Sequence, residues 1–458
     1  MEPRDVLERF VAEAQRLGVE YADARVERRR FTRIEVREGV VTPSSGVDYG
    51  VAVRVYYRGS IGFAYTTRVT REAVLEALSR AFAMARAAGG GAMPGPVTFD
   101  AAEAEYVHPV KRSVADVPLD VKVSDLLELD GLLSGSGEVK SRSIRYYEAV
   151  EERFFASTEE RYISETRELV YVVASVFGSR DGVRGSSHLT QGTIRGYTLW
   201  EKMSQEEFAR KLLERLHAQL HAKTPKAGAF PVVLAPEAVG VFVHEAFGHL
   251  AEADLVAAGS ALKGRKGEKV ASEKVSIVDD PDVEDGFGTL RYDDEGVRTA
   301  KAVIVENGIH RQVMTDRFYA SLLGEKPTGN ARAESFRYPP LVRMRNTIML
   351  PGDARLEEML EGIEFGYYIV STAGGQTNMD GSFQVGIGEA YEIVRGEIGE
   401  PVRNLAISGN TLETLQNIDM VGRDFGLFYG VCGKGQRAFV SDGGPHVRVK
   451  RLTIGGRA

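Results

Sequence analysis

FPVVLAPEAVGVFVHEAFGHLAEADL, residues 230–255, carries two structural signals in succession. Its opening residues are an apolar run of the length and β-branched character of a buried strand. Pro236 then suits the first turn of a helix, where its missing N–H has no intrahelical partner to lose. From there Val239, Val241, Phe242, Val243, Phe247 and Leu250 make the helix strongly apolar. One helix is expected to run on to residue 255. A helix packed on a buried strand is a rigid platform for a functional site.

Within that helix stands His244-Glu245-Ala246-Phe247-Gly248-His249. Two histidines four apart on an α-helix differ by about 40° around its axis and can share one metal ion, as in the H-E-x-x-H zinc helix. Here they are one residue further apart, which is about 140° on a regular helix. A π-type turn brings an i+5 residue back to the same face, and Gly248 tolerates the distortion. An irregular turn between His244 and His249 is therefore expected. Charged Glu245 on so apolar a helix is costly without a partner. It stands beside the first ligand candidate and is the candidate general base.

A catalytic Zn2+ site uses three protein ligands and one open position. Cys432 is the chain's single cysteine, in Gly430-Val431-Cys432-Gly433-Lys434-Gly435, and can supply the third ligand. A lone cysteine can equally be a small buried hydrophobe. Glu252, Asp254 and His446 are rival third ligands, and Glu252 and Asp254 could instead orient the histidines from behind.

Outward from this segment, HAKTPKAG (residues 221–228) reads as a linker. It divides an N-terminal α+β domain, 1–224, from a C-terminal domain, 225–458, that carries the metal helix. The expected fold class is α+β, each domain having a mainly antiparallel sheet with packed helices. Val6, Phe10, Val11, Ala14 and Leu17 predict an opening helix stopped by Gly18, and residues 21–66 alternate as strands. A second helix follows Thr70, with Val74, Leu75, Leu78, Phe82 and Met84 mostly on one side. GGGAMPGP (residues 89–96) is a loop. A third helix near residues 120–133 precedes further strands, and Ser204 with Glu207 forms a capping-box pattern ahead of FARKLLERLHAQL. His217 and His221 are four apart on that helix, but no third ligand lies nearby in sequence, so an exposed charged face is expected. Past the metal helix come Gly- and Lys-rich loops, then strands with hairpin signals at Asn307-Gly308 and in EAYEIVRGEIGEPVRN.

The 458 residues are too many for one ordinary core. A net charge of −7 with interleaved signs gives no basic surface for nucleic acid. Arg28-Arg29-Arg30 reads as a solvated strand face. The lone cysteine, the charged N-terminus and the lack of a membrane-length apolar run lead to the expectation of a cytoplasmic protein without membrane partners.

HEAFGHLAEAD (244–254), YDDEGV (292–297), TGNARAESF (328–336), RMRNTIMLPGD (343–353), GGQTNMDGSFQVGIGEAY (374–391) and GVCGKGQ (430–436), in this order, resemble the TldD/PmbA family, also called the modulator of DNA gyrase family. The resemblance covers essentially the whole chain. It implies zinc on His244, His249 and Cys432, a catalytic Glu245, and the TldD branch rather than the zinc-less PmbA/TldE branch. It also implies cleavage of small or unfolded peptides, as in maturation of modified peptide precursors and removal of antitoxins. Pairing through large surfaces, with a second copy or a PmbA/TldE-like subunit, is implied too. Ala253 stands where the family commonly has glycine, and the loop after Lys434 is shorter, so substrate preference does not transfer. An extended peptide could bind as an added strand, with part of residues 374–388 lining the cleft. The rival readings are a non-enzymatic interaction protein with a structural or vacant metal site, and a zinc hydrolase of other amides. GKGQR lacks the spacing of a phosphate loop.

Overall fold

Alternation from residue 21 onward yields very long strands in the computed structural model, which describes residues 2–456. Helix α1 (Pro3–Arg16) leads into β1 (Tyr21–Arg37), β2 (Val40–Tyr57) and β3 (Ser60–Thr66), then α2 (Arg71–Ala87) and β4 (Ala102–Val107). After α3 (Leu119–Ser134) come β5 (Val139–Ser157), β6 (Arg161–Arg180), β7 (Val183–Thr193), the single turn α4 (Leu199–Lys202) and α5 (Gln205–His221). These strands form one sheet in the order β3-β2-β1-β5-β6, and β4 and β7 both pair along β6. All the pairings are antiparallel except β4 with β6.

Strands β1, β2, β5 and β6 have 17 to 20 residues. At ~3.3 Å per residue they are roughly 55–65 Å long, more than one helix pair can cover. Two separate cores result. Helices α1 and α2 close one end through Phe10, Val53 and Leu78. Helices α3 and α5 close the other through Leu129, Val172 and Leu212. Thr70 caps α2 by accepting from the backbone N–H of Ala73. Met84, expected on the packed side, is exposed, and Ala81 and Ala85 face inward instead. Ser204 caps α5, but Glu207 pairs with Lys211 rather than reaching back to complete a capping box. The arginine triplet on β1 is paired across the sheet: Arg28 and Arg30 with Glu152, Arg29 with Glu151.

The second half opens with β8 (Gly228–Leu234) and α6 (Pro236–Val241). The helix expected to continue to residue 255 is instead broken. A π-helical turn (Phe242–Phe247) is followed by a 3-10 turn (Gly248–Ala251) and then by α7 (Ala253–Ala258). Next come β9 (Ile277–Asp279), β10 (Ala302–Glu306), β11 (Ile309–His310), α8 (Arg317–Leu323), β12 (Ala331–Arg332), β13 (Leu341–Val342), β14 (Asn346–Met349) and α9 (Leu356–Leu360). The chain ends with β15 (Phe365–Thr377), β16 (Ser382–Val394), β17 (Glu397–Val402), β18 (Leu405–Asn410), α10 (Thr411–Gln416), β19 (Ile418–Val421), β20 (Gly426–Lys434), β21 (Gln436–Gly444) and β22 (Val447–Gly456). Both hairpin signals hold: Asn307-Gly308 and Arg395-Gly396 each adopt two successive positive φ angles, as tight hairpin turns demand.

One sheet runs β11-β10-β9-β14-β21-β20, so β20 is an edge strand. In the other, β15 pairs with both β8 and β16, and the path β15-β8-β22-β18-β16 closes on itself. The helix carrying His244 packs in the large core between these sheets with Val239, Val243 and Phe247 fully buried. Aromatic side chains join the halves, Tyr147 and Tyr171 meeting Phe287 and Phe439. Buried Arg54 bridges Asp23 of β1 to Glu295 of the second half, at 2.6 Å from the latter.

Candidate metal centre

The π turn widens the helix where His244 and His249 need it. Two glycines permit the close approach that holds this turn. A Cβ on Gly240 would fall 2.5 Å from Asp442 Oδ1, and one on Gly248 would fall 2.3 Å from Met344 Sδ. The two imidazole rings end with centroids 5.4 Å apart and planes at 83°. Strand β20 delivers the thiol, with Cys432 Sγ 3.4 Å from His249 Nε2. Arg343 braces the turn behind it by donating to the carbonyls of Cys432 and Gln436 at 2.9 and 2.6 Å. One donor atom each from His244, Glu245, His249 and Cys432 lies within 4.8 Å of all the others.

His244 is buried, and neither ring nitrogen has a hydrogen-bond partner in the protein. Burial, then the positive charges of His249 and Arg343, hold its pKa well below the ordinary histidine value. A neutral, buried imidazole with a free lone pair is the state a metal ligand requires. His249 is the opposite case. Burial works against its proton, yet hydrogen bonds to Cys432 and Glu252 hold its pKa up at about 10. Glu252 holds Nδ1 from behind, which leaves Nε2 turned toward Cys432 and the other donors. Two imidazoles and a thiol are zinc-type donors, so the residues fit such an ion.

Glu245 differs from its sequence-based picture. It is not enclosed by apolar side chains: about a third of its side chain (37%) is exposed, and its oxygens lie 3.9 Å from His244 Nε2 and 3.8 Å from His249 Nε2. Its charge therefore keeps contact with water. Glu252 is fully buried and accepts from His249 Nδ1 at 2.8 Å. Burial raises its pKa, but the hydrogen bond and charge of His249 and the charge of Lys434 outweigh this and keep it below the usual carboxylate value.

Three family models match in succession: PmbA/TldA metallopeptidase domain 1 over residues 22–85, the central domain over 112–220 and the C-terminal domain over 227–456. The chain is 38% identical to a zinc metalloprotease TldD homolog of Saccharolobus solfataricus, over 98% of this chain and 99% of that one. The chain belongs to the PmbA/TldD metallopeptidase family. It is by that membership a metalloprotease. A metalloprotease of Methanothermobacter thermautotrophicus is 39% identical over 96% of each chain. TldE from Thermococcus kodakarensis shares the fold with a TM-score of 0.81 at 21% identity, covering 98% of this chain and all (100%) of that one. A modulator of DNA gyrase from Thermotoga maritima also has a TM-score of 0.81, at 22% identity, over 99% of this chain and 100% of its own.

Against this family frame, the rival third ligands sit elsewhere. His446 pairs with Asp424 at 2.7 Å and with the Tyr368 hydroxyl at 2.9 Å. Asp254 accepts from Lys434 Nζ at 3.0 and 2.8 Å and from the Leu255 N–H at 3.0 Å. Lys434 also lies 3.1 Å from Glu252 and donates to the Val342 carbonyl at 2.7 Å. Lys434 and Arg343 are the site residues that sequence reasoning missed. Both stand in the family blocks, but neither carries a signal of its own. Among the described residues, no helix is long and apolar enough to cross a membrane.

Proposed function

We propose that this chain is a TldD-type zinc peptidase acting on small or unfolded peptides, with the ion held by His244, His249 and Cys432 and with Glu245 as general base. The observation that carries the reading is the convergence of donors around His244, a buried histidine whose two nitrogens find no partner in the protein. Bound zinc supplies Lewis acidity toward a peptide carbonyl and lowers the pKa of an attacking water towards ~7. Glu245, unligated and open to solvent, takes the proton from that water and returns it to the leaving amine. Glu252, backed by Lys434, fixes the ring of His249 and favours the tautomer with its proton on Nδ1. As third ligand Cys432 would bind as a thiolate, whose charge would leave the ion a weaker acid than three imidazoles would.

Substrate binding follows from edge strand β20. A cavity of about 830 Å³, lined in part by Leu427, Tyr429 and Pro236, flanks its start, and Cys432 stands near its end. An extended peptide adding beside β20 through backbone hydrogen bonds is led toward the metal, with little dependence on sequence. Residues 374–388 form part of the cleft in this reading. Alanine at Gln376 and Asn378 then lowers cleavage, and unaltered cleavage of every tested peptide removes that segment from the cleft. Pairing with a second copy or with a TldE-like subunit, a cytoplasmic location, and folding units dividing at 224/225 belong to the same proposal.

The deciding experiment is Glu245→Gln. The peptidase reading requires zinc content unchanged and peptide cleavage lost. A non-enzymatic interaction protein would show no functional change. Offering the protein disordered peptides and small acyl-amino acids, with products read by mass spectrometry, separates a peptidase from a hydrolase of other amides.

A further inference from the structure

We propose that Glu138, His217 and His221 form a second divalent-cation site, suited to zinc, at the far end of the N-terminal sheet. The histidines lie four apart in the last turns of α5, with ring centroids 4.0 Å apart. The third donor, missing from the neighbouring sequence, arrives from the residue preceding β5. Glu138 Oε2 is 3.0 Å from His217 Nδ1, and Oε1 is 3.1 Å from His221 Nε2. One donor atom from each residue lies within 4.8 Å of the other two. Two donors bound at ~2.0–2.2 Å around one tetrahedral ion stand roughly 3.3–3.5 Å apart. The observed spacings need only a small opening to meet that.

The electrostatics point the same way. Arg180 Nη1 contacts His221 Nε2 at 2.6 Å and Glu138 Oε1 at 3.4 Å. A guanidinium only donates, so in the tautomer that Arg180 selects this nitrogen of His221 carries the lone pair. It faces a carboxylate oxygen that also only accepts. Two acceptors thus converge on a point served by a cation, the Arg180 side chain. Arg180 is half exposed and has exposed Asp181 3.5 Å away, so it can swing aside for an ion. Two imidazoles and a carboxylate match zinc and its transition-metal neighbours rather than calcium or magnesium. A bound ion would tie the end of α5 to the start of β5, directly ahead of the linker into β8.

The test is zinc stoichiometry of the full-length, untagged chain by equilibrium dialysis and elemental analysis, with cobalt as a spectroscopic probe. Two equivalents are expected for the native sequence, and one each for Glu138→Gln and His221→Ala. Arg180→Gln should tighten the second equivalent by removing its competitor. The second cobalt equivalent should add no thiolate charge-transfer absorption, because its donors are nitrogen and oxygen alone. A stoichiometry of one in the native chain overturns the proposal. So does a second equivalent that survives both substitutions, or one that Arg180→Gln weakens.

Discussion

Replacing Glu252 by glutamine isolates one charge behind the metal centre. The carboxylate is fully buried, accepts from His249 Nδ1 at 2.8 Å and lies 3.1 Å from Lys434 Nζ. Glutamine keeps the shape and an acceptor oxygen but removes the negative charge. A hydrogen bond to a charged group is worth ~1.5–3 kcal/mol and a neutral one ~0.5–1.5 kcal/mol. The difference of about 1–1.5 kcal/mol corresponds to roughly tenfold weaker zinc binding. Glu252→Ala also removes the acceptor and leaves Lys434 with Asp254 as its remaining carboxylate partner, so its loss should approach ~100-fold, the upper range for partners behind a metal ligand. Competition with a chromophoric chelator measures both affinities, and thermal unfolding checks that the variants remain folded. Cleavage by the glutamine variant should recover at saturating zinc, since Glu245 is untouched. Zinc affinity unchanged in both variants would refute the reasoning. Intact affinity with turnover lost even at saturation would assign Glu252 to the chemistry instead.

Other perturbations probe the frame around the centre. Arg54→Met strands the buried carboxylates of Asp23 and Glu295 at the junction of the halves, and urea unfolding should show a loss of ~3–5 kcal/mol; a loss under ~1 kcal/mol would mean that this pair does not hold the junction. His310 is buried and donates from Nδ1 to the Ile304 carbonyl, and burial holds its pKa below the ordinary value. Its unfolded form gains a proton below pH ~6.5 while the folded form stays neutral, so stability present above that pH is lost as pH falls. Urea midpoints of His310→Asn should then decline less than those of the native chain between pH ~7 and ~5, and parallel curves would discard the idea. Gly248→Ala places a methyl 2.3 Å from Met344 Sδ and 3.2 Å from the Val243 carbonyl. Overpacking of ~1–3 kcal/mol should lower the melting temperature and weaken zinc retention together, and an unchanged melting temperature would show that the turn has room to spare.

Elements with a strong local period were legible in the sequence. Helices α1, α2, α3 and α5 and the long strands follow their apolar spacing, because alternation and 3.6-residue repeats are properties of a few consecutive residues. Helices α8, α9 and α10 have five to seven residues, too few for an apolar face to show in the sequence. Asp316 and Asn410 cap two of them with side-chain hydrogen bonds to backbone N–H groups, a signal of one residue each. Sheet order was not legible either. The parallel pairings of β4 with β6 and β14 with β21 join residues far apart in the chain, and nothing local encodes them.

The centre divides along the same line. The widened turn was readable because residues five apart on a regular helix diverge by ~140°, and a shared ion leaves helix widening as the local remedy. Lys434 was not readable, since the carboxylate it pairs with stands 180 residues earlier. Glu138 completes the histidine pair on α5 from 79 residues away, for the same reason. Cys432 was ambiguous between ligand and filler, and its packing explains why both readings came from one residue. On β20 it sits opposite Ala438 of β21, in a small apolar cluster with Val440, while its sulfur faces His249. The apolar backing excludes water from one side of the thiol, so the open side is the one turned toward the histidines. Being a well-packed small hydrophobe is thus part of what aims the sulfur, and the choice between the two readings was never a choice between exclusive roles.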